Sequence, residues 1–261
     1  MIPYFQWTAV TIGPVHLYVW GTFVAIGIIV ATWCAMRIAE QQGHSAEYVF
    51  DQAVWVVLWG LIGARVLYCV SEFAFFAAHP FQVFALWNGG MSITGGILGG
   101  VFYLVWSYRN NRLAGLQYLE LVALVCPIGM CIGRVGCFCI YDHPGSATTL
   151  PWGQEYSDGV VRHNHGLYLS LHAGLIAVLF WFLYRRNPHR PAGTYIALFA
   201  VLYGAPRFFL DFLRATDIPG SDPRYAGLTI AQYVSLFMIV AGLFLWYTVY
   251  YGKASKKAPT S

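Results

Sequence analysis

Three arginines interrupt stretches that otherwise read as membrane-spanning: Arg65 in LIGARVLY, Arg134 in GMCIGRVGCF and Arg207 in LYGAPRFFLDFLR. A guanidinium stays charged in a protein. Holding one in hydrocarbon costs at least ~2.5–3.5 kcal/mol on insertion scales. Three of them, in three different segments, point to a shared polar cavity and an anionic ligand.

Other polar groups gather around them. Tyr203, Arg207, Asp211 and Arg214 are spaced i, i+4, i+8 and i+11, which is one face of a helix. Arg207 stands one turn before Asp211 and can pair with it. A purely structural ion pair explains Arg207 but leaves Arg65 and Arg134 unaccounted for. The segment WNGGMSITGGILGG holds six glycines in 14 residues. It reads as close helix packing through small residues, as a broken helix end with free N–H groups facing an anion, or as a mixture of both.

The six cysteines are Cys34, Cys69, Cys126, Cys131, Cys137 and Cys139. The first three read as small apolar core residues. Cys131, Cys137, Cys139 and His143 lie within 13 residues, and a Cys-x-Cys plus His is a soft-metal pattern. A metal or redox site is thus a second reading, although local metal sites have firmer paired spacing.

These residues need elements to carry them, and composition says which. The chain has 261 residues, 58% hydrophobic and only 10% charged, against about 25% charged in a soluble domain. That is an all-α polytopic membrane protein. Apolar segments near 15–38, 49–70, 91–108, 116–137, 166–184, 193–213 and 229–251 give seven spans of about 20 residues each. They form one domain over 1–252, followed by a basic tail, 253–261, that reads as disordered. The net charge of +4 lies in short loops, which argues against a nucleic-acid partner. The N-terminal MIPYFQWTAVTIGPV has neither the basic region nor the cleavage site of a removable signal peptide. It reads as an amphipathic segment along the outer interface.

Lysines and arginines concentrate in cytoplasmic loops. With the N-terminus outside, Arg37, Arg109, Arg112, Arg185, Arg186, Arg190, Lys253, Lys256 and Lys257 fall inside, and Arg162, Arg214 and Arg224 fall outside. The expected topology is N-out, C-in. It puts Arg65, Arg134 and Arg207 at similar depth in the outer half of the membrane. Trp20, Asn88, Ser92, Thr94 and Tyr168 fall at that level as well, and the long connection 138–165 faces the same side. A transporter is disfavoured, because there is no inverted repeat and the polar groups do not sit at the midplane.

Taken together, IGPV at 12–15, GARVLY at 63–68, LWNGGMSITGG at 86–96, GRVGCF at 133–138, Arg162-His163 with Leu167-Tyr168, and YGAPRFFLDFLR at 203–214 resemble the prolipoprotein diacylglyceryl transferase family. The resemblance covers nearly the whole chain in order. It implies a seven-span enzyme of the bacterial inner membrane that moves a diacylglyceryl group from phosphatidylglycerol to a lipobox cysteine. A thioether forms and glycerol-1-phosphate leaves. Arg134 and Gly136 match the signature G-R-x-G-N-F, and Arg207 matches the essential arginine of Y-G-x-x-R, with Asp211 where the family has glutamate. The resemblance brings no cofactor and no metal.

Besides Asp211, the chain departs from the family at four places. Thr94 stands where M-S-x-H-G-G has histidine, and Cys137 stands where G-R-x-G-N-F has asparagine. Trp20 aligns with a tyrosine, and the fifth-span motif reads Arg162-His163-Asn164-His165-Gly166-Leu167-Tyr168-Leu169. Arg134 and Arg207 are therefore expected as catalytic residues, with Asp142 orienting His143 as the replacement base. His163 and His165 are rival bases. Arg65, Trp20, Asn88, Ser92, Thr94, Gly95, Cys137, Tyr168, Tyr203, Asp211 and Arg214 are expected to line the substrate site. The expected substrate is an anionic phospholipid, phosphatidylglycerol first. The acceptor is a prolipoprotein or another molecule. The remaining alternative is a non-catalytic phospholipid-binding protein that kept the phosphate cavity.

Overall fold

The computed structural model describes residues 1–251 except 14, 86–89, 111, 143, 219 and 220; of 12, 15, 93, 94 and 112–114 it describes the backbone alone. Asn88, His143 and the tail 253–261 therefore lie outside the described residues, as does the side chain of Thr94. Eight α-helices occur among the described residues: α1 (Val19–Gln41), α2 (Ala46–Ser71), α3 (Phe73–Ala78), α4 (Ile93–Asn110), α5 (Arg112–Ile140), α6 (His165–Arg186), α7 (Thr194–Leu210) and α8 (Ile230–Tyr250). Six of them, α1, α2, α5, α6, α7 and α8, are long and apolar enough to cross a membrane. The segment expected as the third span is α4, 18 residues long, and is not among the six. The fold is all-α and polytopic, as composition implies.

Short strands decorate the connections. An antiparallel hairpin, β1 (Ala9–Ile12) with β2 (Val15–Tyr18), precedes α1. The N-terminal segment expected to be amphipathic is therefore extended. It pairs with the α5–α6 connection through Ile2 opposite Gln154, and with the last turn of α5 through the Trp7 N–H on the Cys139 carbonyl at 2.9 Å. That connection folds into a three-stranded antiparallel sheet of β3 (Pro144–Ala147), β4 (Gln154–Glu155) and β5 (Val161–Asn164), with β5 in the middle. A two-stranded ribbon, β6 (Arg224–Tyr225) with β7 (Leu228–Thr229), leads into α8.

Contacts divide the chain into two compact units, and the boundaries fall within α1 and next to Glu120 in α5. The first unit holds Met1–Cys34 and Glu120–Ser261. Its helices approach through glycines: a Cβ on Gly27 would lie 2.6 Å from the Gly129 carbonyl oxygen, and one on Gly136 would lie 2.9 Å from Phe23 Cβ. Within this unit Glu120 caps α7 from a distance. Its carboxylate accepts the N–H groups of Gly193, Tyr195 and Ile196 at 3.1, 2.7 and 3.3 Å. Gly193, at the N-cap, has no side chain to do so, and the first N–H groups of a helix need an acceptor.

The second unit, Ala35–Leu119, is built on α2 against α4. Gly63 of α2 faces Gly95 and Gly99 of α4 so closely that a Cβ on either partner would run into the opposing backbone. The glycine-rich segment thus serves close helix packing at its helical end. The 72–84 connection forms α3 and a single 3-10 turn, Pro80–Phe84, neither of them visible as a span-like pattern.

Candidate functional site

In the first unit, α5 and α7 bring Arg134 and Tyr203 together. The Arg134 guanidinium lies close to the Tyr203 side chain and donates to Cys137 Sγ at 3.8 Å, one turn along its own helix. Tyr203 is held flat by stacking on Phe199 and His172, with ring centroids at 5.5 and 5.9 Å. Among the described residues no carboxylate pairs with Arg134. A half-buried guanidinium with only a hydroxyl and a thiol beside it is electrostatically incomplete.

At the end of α7 the helix tightens into a 3-10 turn, Asp211–Leu213, so the expected continuous face breaks before Arg214. Asp211 nonetheless gathers its neighbours. It accepts Nη1 of Arg207, Nε of Arg214 at 2.8 Å and the hydroxyl of Thr229. It is fully buried, and Arg207 is 7% exposed. Arg214 also reaches Asp222. The remaining donors of Arg207 have no protein partner among the described residues, so Asp211 orients the fork without using it up.

Thr229 and Asp222 went unexpected. Thr229 lies 18 residues from Asp211, beyond any local periodicity. Its pairing with Gln232 as a capping box at the start of α8 was the readable signal.

The other expected residues divide. Trp20, on α1, packs against Gly136, where a Cβ would come 3.2 Å from Trp20 Cα. Tyr168 accepts or donates to His163 Nδ1 at 2.7 Å and meets the Trp152 side chain. His163, on β5, is held below the usual histidine range by burial and stays neutral near pH 7. His165 is 1% exposed. Gly166 sits so close to the end of α5 that a Cβ would lie 2.5 Å from the Phe138 nitrogen. Asp142 begins the chain's departure from α5 after Tyr141, whose φ of 53° is unusual for a residue with a side chain.

The α5–α6 sheet is tied down over this cluster. Arg162 makes a bidentate pair with Asp217 at 2.9 Å for both bonds and a further bond to Asp158 at 2.8 Å. Its side chain is 2% exposed. Gly145 bridges to Arg214, and the Ala215 N–H donates to the Pro144 carbonyl at 3.2 Å.

In the second unit, Ser92 caps α4, accepting the Gly95 N–H at 3.3 Å, while its own N–H meets the Ala64 carbonyl at 3.0 Å. Gly95 packs against Gly63. Arg65 donates to four backbone carbonyls. The described cysteines are all free thiols. Among the described residues no group of three His, Cys, Asp or Glu can hold a metal ion; His143, the fourth member of that alternative, lies outside them.

Comparison with known proteins places the chain in a family. The family model for prolipoprotein diacylglyceryl transferase matches residues 7–248. The chain is 35% identical over 243 residues to the phosphatidylglycerol–prolipoprotein diacylglyceryl transferase of Nitratidesulfovibrio vulgaris (strain DP4), covering 91% of this chain and 92% of that one. It is 32% identical to the protein so named in Pseudomonas entomophila, covering 99% of each chain. For that of Nitrosomonas europaea the identity is 32%, with 98% and 95% covered. With its apolar helices, the protein is a multi-pass bacterial membrane protein. The chain belongs to the prolipoprotein diacylglyceryl transferase family.

Proposed function

We propose that this protein transfers the diacylglyceryl group of phosphatidylglycerol to a cysteine thiol of a prolipoprotein, at the outer face of the bacterial inner membrane. The observation that carries this reading is Arg134: a guanidinium with no carboxylate partner among the described residues, next to Tyr203, which stands one turn before the oriented Arg207 on α7. Two such forks suit a phosphodiester.

The chemistry follows from the leaving group. The thiolate sulfur attacks the glycerol CH2 carbon that bears the phosphate, forming the C–S bond. The bond between that carbon and the phosphoester oxygen breaks, the P–O bond stays intact, and the electron pair leaves on glycerol phosphate. Arg134 and Arg207 stabilise the charge gathering on the phosphate oxygens. Asp211, Arg214 and Thr229 keep the Arg207 fork aimed. The thiol proton passes to a base, for which the Asp142–His143 loop is our choice. Neutral His163, bonded to Tyr168, stands as the rival. The N-out, C-in topology, supported by the distribution of lysine and arginine, puts this cluster towards the outer leaflet. The single-domain boundary at 252 is part of the same reading.

Complementation tests it. In a strain depleted of its own prolipoprotein transferase, expression of this chain restores growth and lipoprotein modification. A folded, membrane-inserted protein that fails to rescue rules out the prolipoprotein acceptor. Retention of labelled phosphatidylglycerol without turnover makes it the lipid-binding alternative suggested by Thr94 and Cys137.

A further inference from the structure

Arg65 is bonded quite differently from Arg134 and Arg207. Its Nε donates to the Val83 carbonyl at 2.9 Å and its Nη1 to the Gly90 carbonyl at 2.8 Å. Its Nη2 donates to the carbonyls of Gln82 at 2.5 Å and Ala85 at 3.2 Å. The side chain is 7% exposed, and its guanidinium carbon lies 5.3 Å from the Phe76 ring centroid and 5.9 Å from that of Tyr68.

These four carbonyls belong to one segment, the return from α3 to α4. Two neighbours of Arg65 on α2 hold the same segment. The Ala64 carbonyl takes the Ser92 N–H. Gly90, at φ +74°, lies against Tyr68 so tightly that a Cβ would run into the ring. Ser92 then caps the first turn of α4. A phosphate at this guanidinium would meet carbonyl oxygens on several sides, all repelling it. The same N–H groups cannot serve both.

We infer that Arg65 is a positioning residue and not a lipid ligand. It neutralises and gathers the carbonyls of Gln82, Val83, Ala85 and Gly90, and so fixes where Ser92 starts α4, while phosphate recognition belongs to Arg134 and Arg207. The effect on activity rests on the transferase reading above; the effect on the segment does not.

Two variants of the full-length protein in lipid nanodiscs test this by hydrogen–deuterium exchange and steady-state kinetics. Arg65→Lys keeps the charge but cannot span four carbonyls. Gly90→Ala leaves every arginine in place and displaces the segment against Tyr68. Both variants should raise exchange within 79–92 by roughly tenfold while α2 and α4 stay protected. Both should also lower kcat and leave KM for phosphatidylglycerol within about twofold.

Unchanged exchange over 79–92 in Arg65→Lys overturns the inference. So does a raised KM in Arg65→Lys with Gly90→Ala behaving as the unsubstituted protein, the signature of a lipid contact. If Arg65→Lys does not fold, Gly90→Ala decides alone. If no preparation turns over lipid, the transferase reading fails and the exchange result still stands or falls by itself.

Discussion

Which guanidinium already has a carboxylate separates the arginines residue by residue. Arg207 and Arg214 share Asp211; Arg134 has Tyr203 and Cys137. Arg134→Lys keeps charge and loses the planar fork, so kcat/KM for phosphatidylglycerol should fall about 10²–10³-fold with unfolding temperature unchanged. Asp211→Asn removes the buried negative charge shared by two arginines and turns one of its two acceptor oxygens into a donor. It should cost ~3 kcal/mol or more, read as a lower thermal midpoint in detergent. The Arg207–Asp211 pair was legible because it is a one-turn spacing. Arg65 was not: its burial shows in the sequence, but backbone carbonyls and an anion satisfy a guanidinium equally well on energetic grounds. Only geometry tells them apart.

At the scale of elements, helices emerged within a few residues of all seven expected spans, six of them long and apolar enough to cross a membrane; the third, α4, is not among those six. The hairpin before α1, the β3–β5–β4 sheet and the turns after α2 were not legible. Their strands are two to four residues long and carry no alternation long enough to read. The α5–α6 sheet is pinned by Arg162, whose partners Asp158 and Asp217 are held below the usual carboxylate range by its hydrogen bonds. Groups with a depressed folded pKa stabilise above the ordinary carboxylate pKa and lose that contribution as pH falls through the lowered one. Acidification below about pH 4 should therefore loosen this sheet while the helices persist. A change in Trp152 fluorescence without loss of helical circular dichroism is the expected readout. In the second unit, Gly63→Val forces α2 and α4 apart where backbones touch. It should destabilise by about 1–3 kcal/mol, again as a lowered thermal midpoint.

For the whole molecule, composition already excluded a soluble protein, and the order of motifs along the chain led to the family. Orientation stands on charge distribution. With an impermeant thiol reagent on intact cells, Ser157→Cys in the α5–α6 connection should label and His44→Cys between α1 and α2 should not; the reverse pattern inverts the topology. The acceptor end was least legible, because a base that takes the thiol proton leaves no spacing rule in the sequence.

The central claim, that paired arginine forks release a phosphorylated leaving group to a thiol, is tested most directly with purified protein in nanodiscs. The assay uses phosphatidylglycerol labelled in its head-group glycerol, together with a lipobox peptide. Labelled glycerol phosphate should appear in step with a thioether-linked diacylglyceryl peptide, and both should vanish together in Arg134→Lys. Release that is unaffected by Arg134→Lys, or no release from a folded protein that binds both substrates, contradicts the account.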